Sequence, residues 1–174
     1  MALAPEIGPQ QHTIFEVLSG VAHARPNADL LVLESVTAAS YGLSPETVSY
    51  AQALAATEVL RARYAQAGYG HGHRVALSLD NRPEFFFHWW ALNALGVSVV
   101  PVHAALRHAE LSYLLGHSEC ALVVARPDRH AALQAALDAA SSSAVVCAAD
   151  DASLAPAPFA APAAAQPVGR DTEC

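Results

Sequence analysis

The sequence predicts an α/β fold: a doubly wound, mostly parallel sheet with flanking helices. Three observations lead to it. First, four short apolar runs of strand length recur along the chain: RVALSL (74–79), VSVVPV (97–102), ALVVA (121–125) and AVVCA (144–148). Second, helix-period segments separate them, so strand and helix alternate from 74 to 148. Third, the runs show no polar alternation, as expected of strands covered on both faces. Right-handed crossovers then wind the chain about the sheet.

The elements follow in order. Residues 13–24 read as a short helix and LLVLES (30–35) as a strand, and SYGLSPE (40–46) is turn-rich. VSY (48–50) reads as a short strand running into a helix. Ser49 and Gln52 resemble a capping box there, and Ala53, Ala56, Leu60, Tyr64 and Ala67 recur at helical spacing. Gly68 suits the position after that helix, where φ turns positive. After the first apolar strand, Asn81 with Glu84 is a second capping signal, and Pro83 lies in a first turn, where its missing N–H costs nothing. The helix at 82–95 carries Phe85, Phe86, Phe87, Trp89, Trp90, Leu92 and Leu95, so it is expected to be buried on most sides. Gly96 ends it. Leu106–Leu115 reads as a helix closed by Gly116, and Pro127–Ala140 as another. Residues 1–149 are thus expected to form one domain. From 150 to 174 the chain is Ala/Pro-rich without periodicity and reads as a linker or tail.

Composition narrows the function. The 174 residues suffice for a core, and 53% are hydrophobic against 14% charged, which excludes a disordered chain. Net charge is −7, with nine Lys and Arg together and no basic cluster. Nucleic-acid and anionic-membrane partners are disfavoured, because neutralising phosphates takes clustered cations. No signal peptide is indicated, and the apolar stretch Phe85–Val102 reads as helix then strand rather than a membrane span. Cys120, Cys147 and Cys174 are odd in number and widely spaced, so they are expected to be reduced thiols of a cytoplasmic protein, the first two in the core.

The most site-like stretch is GYGHGH (68–73). A phosphate-cradling glycine loop must follow a strand and open a helix. Here a helix ends and a strand begins, and no Lys-Ser/Thr follows, so the glycines read as a turn. His71 and His73 could start a zinc site, with a further ligand from His88, His103, His108, His117 or a carboxylate. There is no HExxH and no Cys at ligand spacing, so exposed turn histidines are the expectation. No GxSxG is present, and Glu119 beside Cys120 would weaken that thiol as a nucleophile. No catalytic residue and no metal ligand is assigned.

Taken in order, these segments resemble the N-terminal part of the adenylate-forming acyl-CoA synthetase superfamily, with wording similar to carnitine–CoA ligases. Its pattern runs "(T/S)Y.EL", then "G.GDRVAL…N.PEF", then "G.V.VP.N…L…EL.Y.L.DS.A..VV". Ser49-Tyr50, Gly70, Gly72, Arg74-Val75-Ala76, Asn81, Pro83-Glu84-Phe85, Gly96, Pro101, Leu106, Glu110-Leu111, Tyr113 and Ser118 fit it. His73 stands where Asp is usual, and His103 where Asn is common.

The resemblance implies a fold, an activity and cofactors. Members activate a carboxylate with ATP and Mg²⁺ to an acyl-adenylate, then transfer the acyl group to CoA. Their phosphate loop ("TSGTTG.PKG"), adenine motif and catalytic Lys have no counterpart in this sequence, which contains no lysine. GRDTEC (169–174) resembles what precedes that loop. The chain is therefore expected to be inactive alone, to hold no cofactor itself, and to partner the missing C-terminal part of a ligase. The alternative is a non-catalytic α/β binding or scaffold module. Some members use a basic residue after the "VP" to reach the CoA phosphates. Arg107 is the nearest candidate for that role; a solvated first-turn arginine is the competing reading.

Overall fold

A computed structural model describes residues 13–42 and 47–158. The order is α1 (Ile14–Ala24), β1 (Asp29–Val32), α2 (Ser35–Tyr41), β2 (Thr47–Ser49), α3 (Tyr50–Gln66), β3 (Arg74–Ser78), α4 (Pro83–Asn93), β4 (Ser98–Pro101), α5 (His108–Ser118), β5 (Leu122–Ala125), a 3-10 turn (Pro127–Arg129), α6 (His130–Ala139) and β6 (Val145–Ala148). β1 and β2 form an antiparallel pair. The other four strands form a parallel sheet in the order β4-β3-β5-β6. The four apolar runs are thus the four strands of one parallel sheet.

Each face of that sheet carries its own core. On one, Val75, Leu77, Leu122, Val124 and Cys147 meet Tyr64 of α3 and Ala91 and Leu92 of α4. On the other, Ala76, Val123 and Ala125 meet Leu111 and Leu115 of α5 and Leu133 and Leu137 of α6. Successive residues of β3 and β5 serve opposite cores, as the period of two demands. The apolar character of α4 all round has its reason here: besides the sheet, Trp90 packs with Leu18 of α1 and Ala53 of α3. Cys120 and Cys147 are buried free thiols on opposite faces. Burial holds both thiols up, Cys147 to about 12 with Asp151 adding to the effect.

The caps are partly those expected. Ser49 and Gln52 close a capping box: Ser49 N–H donates to Gln52 Oε1 at 2.8 Å, and Gln52 N–H donates to Ser49 Oγ at 3.2 Å. Gly68 turns the chain after α3 with φ +90°.

Several expectations are corrected. No side chain caps α4: Arg82, not Asn81, is its N-cap, and Glu84 instead faces the Arg82 guanidinium at 3.4 Å. Gly116 does not close α5; the helix runs on to Ser118 and ends at Glu119, whose φ is +50°. Gly116 answers a packing need instead, since a Cβ there would lie 3.1 Å from Ala140 Cβ. Residues 33–35 were expected to extend the first strand, yet α2 begins at Ser35. The helix expected over 127–140 opens with the 3-10 turn.

The first part of the Ala/Pro-rich segment folds back onto the α3/α4 face. Leu154, Ala155 and Ala157 pack on that core, and Ala157 N–H donates to Ala67 O at 2.8 Å. The rest of it, with Cys174, lies outside the described residues.

Candidate functional site

The sheet order sets where a site can form. From β3 the chain winds outward to β4, then crosses β3 to reach β5 and β6. The winding direction therefore reverses between β3 and β5. In open parallel sheets, the carboxyl ends of the strands at such a reversal leave a crevice, because the connections depart to opposite faces.

A cleft of about 550 Å³ lies there. Leu79 follows β3, Arg126 and Pro127 follow β5, and Ala149 and Asp150 follow β6. Arg82 and Glu84 from the start of α4, with Val59 and Arg63 from α3, complete the wall. The floor is apolar, and three arginines and two carboxylates lie around it.

The three arginines and the neighbouring Asp80 are held. Asp80, one residue beyond the cleft wall on the β3 side, has φ +57°. That conformation is unfavourable for most side chains and tolerated by Asp. It brings the Asp80 carboxylate to 3.2 Å from Arg126 Nη1, bridging the ends of β3 and β5. Arg126 Nε also reaches Asp128 at 3.1 Å. Arg82 donates to Tyr41 O at 3.1 Å and covers the Tyr41 ring, with the guanidinium 4.9 Å from its centroid. Arg63 donates to Asp151 O at 3.4 Å.

Beneath the cleft sits a buried polar relay. The Tyr64 hydroxyl and His88 Nδ1 are 2.7 Å apart, and His88 Nε2 lies 3.1 Å from Ala149 O. A carbonyl only accepts, so Nε2 carries the proton and Nδ1 accepts from Tyr64. Burial pulls the His88 pKa down to about 4, outweighing the Ala149 bond that opposes it. Burial also raises the Tyr64 pKa. The imidazole is therefore neutral and structurally committed near neutral pH.

The residues singled out in the sequence are dispersed. His71 is exposed, whereas His73 is buried at 1% exposure, correcting the reading of both as turn histidines facing water. His73 Nδ1 lies 3.1 Å from both the N and the O of Gly70, and its ring meets the Tyr69 ring edge at 5.5 Å. It therefore staples the glycine turn. His88 is far from serving as a shared ligand, with both nitrogens already bonded. Among the described residues, no three His, Cys, Asp or Glu side chains are grouped to hold a metal ion. Arg107 is exposed at the start of α5, outside the cleft wall, and its backbone N–H donates to Glu110 Oε2 at 2.7 Å. Sequence reasoning missed Arg63, Arg82 and Arg126. Their only local signal is that Arg82 and Arg126 lie just beyond apolar strands.

A profile of the AMP-binding enzyme family matches residues 22–172. The chain belongs to that family. As an AMP-binding family chain it matches curated relatives over a limited stretch. It is 41% identical over 61 residues to the crotonobetaine/carnitine–CoA ligase of Citrobacter koseri, which is 35% of this chain and 12% of that protein. The enzyme of the same name from Salmonella paratyphi B is 44% identical over 57 residues, 33% of this chain and 11% of that one.

Solved structures share the fold more widely. A Rhodopseudomonas palustris protein described as a long-chain-fatty-acid CoA ligase superposes with TM-score 0.67 at 22% identity, over 88% of this chain and 36% of its own. The N-terminal domain of FACL13 from Mycobacterium tuberculosis gives 0.62 at 24% identity, over 72% of this chain and 30% of its own. The AMP-binding family chain thus spans about a third of these neighbours, and its match covers about an eighth of the curated ligases.

The family implies ATP with Mg²⁺, and the cleft does not suit a triphosphate. Pro83 removes an N–H from the α4 N-terminus, and Glu84 places a carboxylate in its first turn. The nearby arginines are already engaged by Asp80, Glu84 and main-chain carbonyls. No step of nucleotide chemistry is derived from these residues.

Proposed function

We propose that this chain is the N-terminal α/β part of an ATP-dependent carboxylic acid–CoA ligase acting in the cytoplasm. The complete protein forms an acyl-adenylate and passes the acyl group to CoA, and the 174-residue chain alone does neither. One observation carries the reading: the family profile spans 22–172, while the chain covers only about a third of solved structures of the same fold. The absence of lysine supports the inactivity, because the family resemblance assigns stabilisation of transition-state charge to a Lys that this sequence does not contain. Names of the relatives favour a carnitine- or crotonobetaine-type acid. Residues 150–174 then connect this part to the next.

Carboxylate-dependent ATP–pyrophosphate exchange tests this. The purified chain is expected to show none with carnitine, crotonobetaine or fatty acids, and exchange would overturn the reading. Arg107 is the CoA-phosphate contact in this proposal, supported by its exposed position beyond the carboxyl end of β4. In the complete enzyme, Arg107→Ala should raise KM for CoA and leave ATP–pyrophosphate exchange intact.

A further inference from the structure

Among the described residues, β6 ends the parallel sheet on the side away from β4. Such an edge presents main-chain N–H and C=O groups on which another strand can pair. The ladder decides which groups point outward. Val145 N–H donates to Ala121 O at 3.4 Å, so Val145 and Cys147 turn their main-chain groups to β5. By alternation, Ala144, Val146 and Ala148 turn theirs away from the sheet.

The outward groups at both ends of the strand are already engaged. Ala144 N–H donates to Ser142 Oγ at 3.3 Å. Ala148 N–H donates to Asp151 Oδ2 at 2.8 Å, and Ala148 O accepts from Asp151 N–H at 3.3 Å. Short polar side chains bond nearby main chain readily, so both caps form from local sequence. Each is also held in place. Ser141, with φ +52°, turns the chain just ahead of Ser142. His88 Nε2 donates to Ala149 O at 3.1 Å and Arg63 to Asp151 O at 3.4 Å, which fixes the segment that carries Asp151. Val146 is left as the open rung among the described residues.

We propose that Ser142 and Asp151 guard this edge against a second copy of the chain. The edge is self-complementary. In an antiparallel pair about a two-fold axis through Val146, each Val146 faces its counterpart, and Ala144 of one copy faces Ala148 of the other. Every outward donor of one strand then meets an outward carbonyl of its partner. The strand, Val-Val-Cys-Ala, carries no charge to oppose that pairing, and Val145 at its start is exposed. With the guards in place, the Ala144 and Ala148 donors are taken. The Val146 pair alone can exchange bonds, and so short a ladder does not hold two copies together.

Three versions of the 174-residue chain, in reducing buffer, test this: the unmodified chain, the Ser142→Ala, Asp151→Ala double variant, and that variant with Val145→Lys added. In dilute solution the double variant should exchange its Ala144 and Ala148 amides about tenfold faster than the unmodified chain, as for a lost hydrogen bond. At raised concentration it should sediment as a dimer and slow the Val146 amide. A mixed-isotope sample should then show an intermolecular contact between the Cα protons of Val145 and Cys147. Val145→Lys sets a charge on the edge and should restore the behaviour of the unmodified chain. A double variant that associates no more than the unmodified chain overturns the proposal. So does association that leaves Val146 unprotected or survives Val145→Lys, since another surface then carries it. If the double variant does not fold, single variants decide. Val146 protection should grow with concentration in Asp151→Ala and not in Asp151→Asn, which keeps an acceptor; no difference between the two overturns the guard.

Discussion

The Tyr64 hydroxyl lies 2.7 Å from His88 Nδ1 and ties the last turn of α3 to α4 beneath the cleft. Both side chains are buried, so neither can exchange this bond for water. Tyr64→Phe leaves Nδ1 without its donor while conserving the ring. The expected loss is about 1–3 kcal/mol of unfolding free energy, the cost of an unmet buried acceptor. Urea titration of the two proteins measures it.

The same histidine gives a pH dependence. Its folded pKa of about 4 lies below the ordinary 6.5, so between those values the unfolded chain binds the proton and the folded one does not. Stability therefore falls as pH drops from about 6.5 to about 4, by an amount on the order of 3 kcal/mol from this group. His88→Gln removes the titration. The gap between wild-type and variant Tm should narrow steadily over that interval; a constant gap would refute the assignment.

At the end of β3, Asp80 combines a left-handed backbone with an ion pair to Arg126, whose partners are about a third exposed. The two contributions separate by mutation. Arg126→Ala should cost about 0–1 kcal/mol, as for other solvated pairs. Asp80→Val should cost about 1–3 kcal/mol, because a β-branched residue is strained at positive φ. Asp80→Gly should fall near the Arg126→Ala value. Equal losses for Val and Gly would show that the backbone contributes nothing.

Gly116 lets α5 approach the end of α6, where a Cβ would stand 3.1 Å from Ala140 Cβ. Gly116→Val gains helix propensity, under about 1 kcal/mol. It should nonetheless lose about 1–3 kcal/mol net from overpacking against Ala140. Restored stability in the Gly116→Val, Ala140→Gly double variant would locate the clash.

The sheet was legible because its signal is local: four apolar runs, each bounded by a helix start or a turn. What the sequence hid was long-range. Ser35–Tyr41 forms a helix whose N-cap, Glu34, makes no side-chain bond, so no capping signal announced it. Gly116 looked like a terminator because glycine commonly follows helices, and its real neighbour, Ala140, is brought there only by the α5–α6 packing. His73 reads as a turn residue on any local criterion; Tyr69 and the strand after it bury it. The cleft arginines come from α3, the start of α4 and the end of β5, which meet only once the winding direction reverses between β3 and β5.

Cys120 and Cys147 sit in separate cores on the two sides of one sheet. The sheet itself keeps them from forming a disulfide in the folded chain, and their raised pKa values keep them in the unreactive thiol form. Each becomes reactive only when its own layer opens. Pulsed alkylation with peptide mapping would therefore time the two layers independently, turning a pair of inert side chains into a built-in clock for whether this fold comes apart in one event or two.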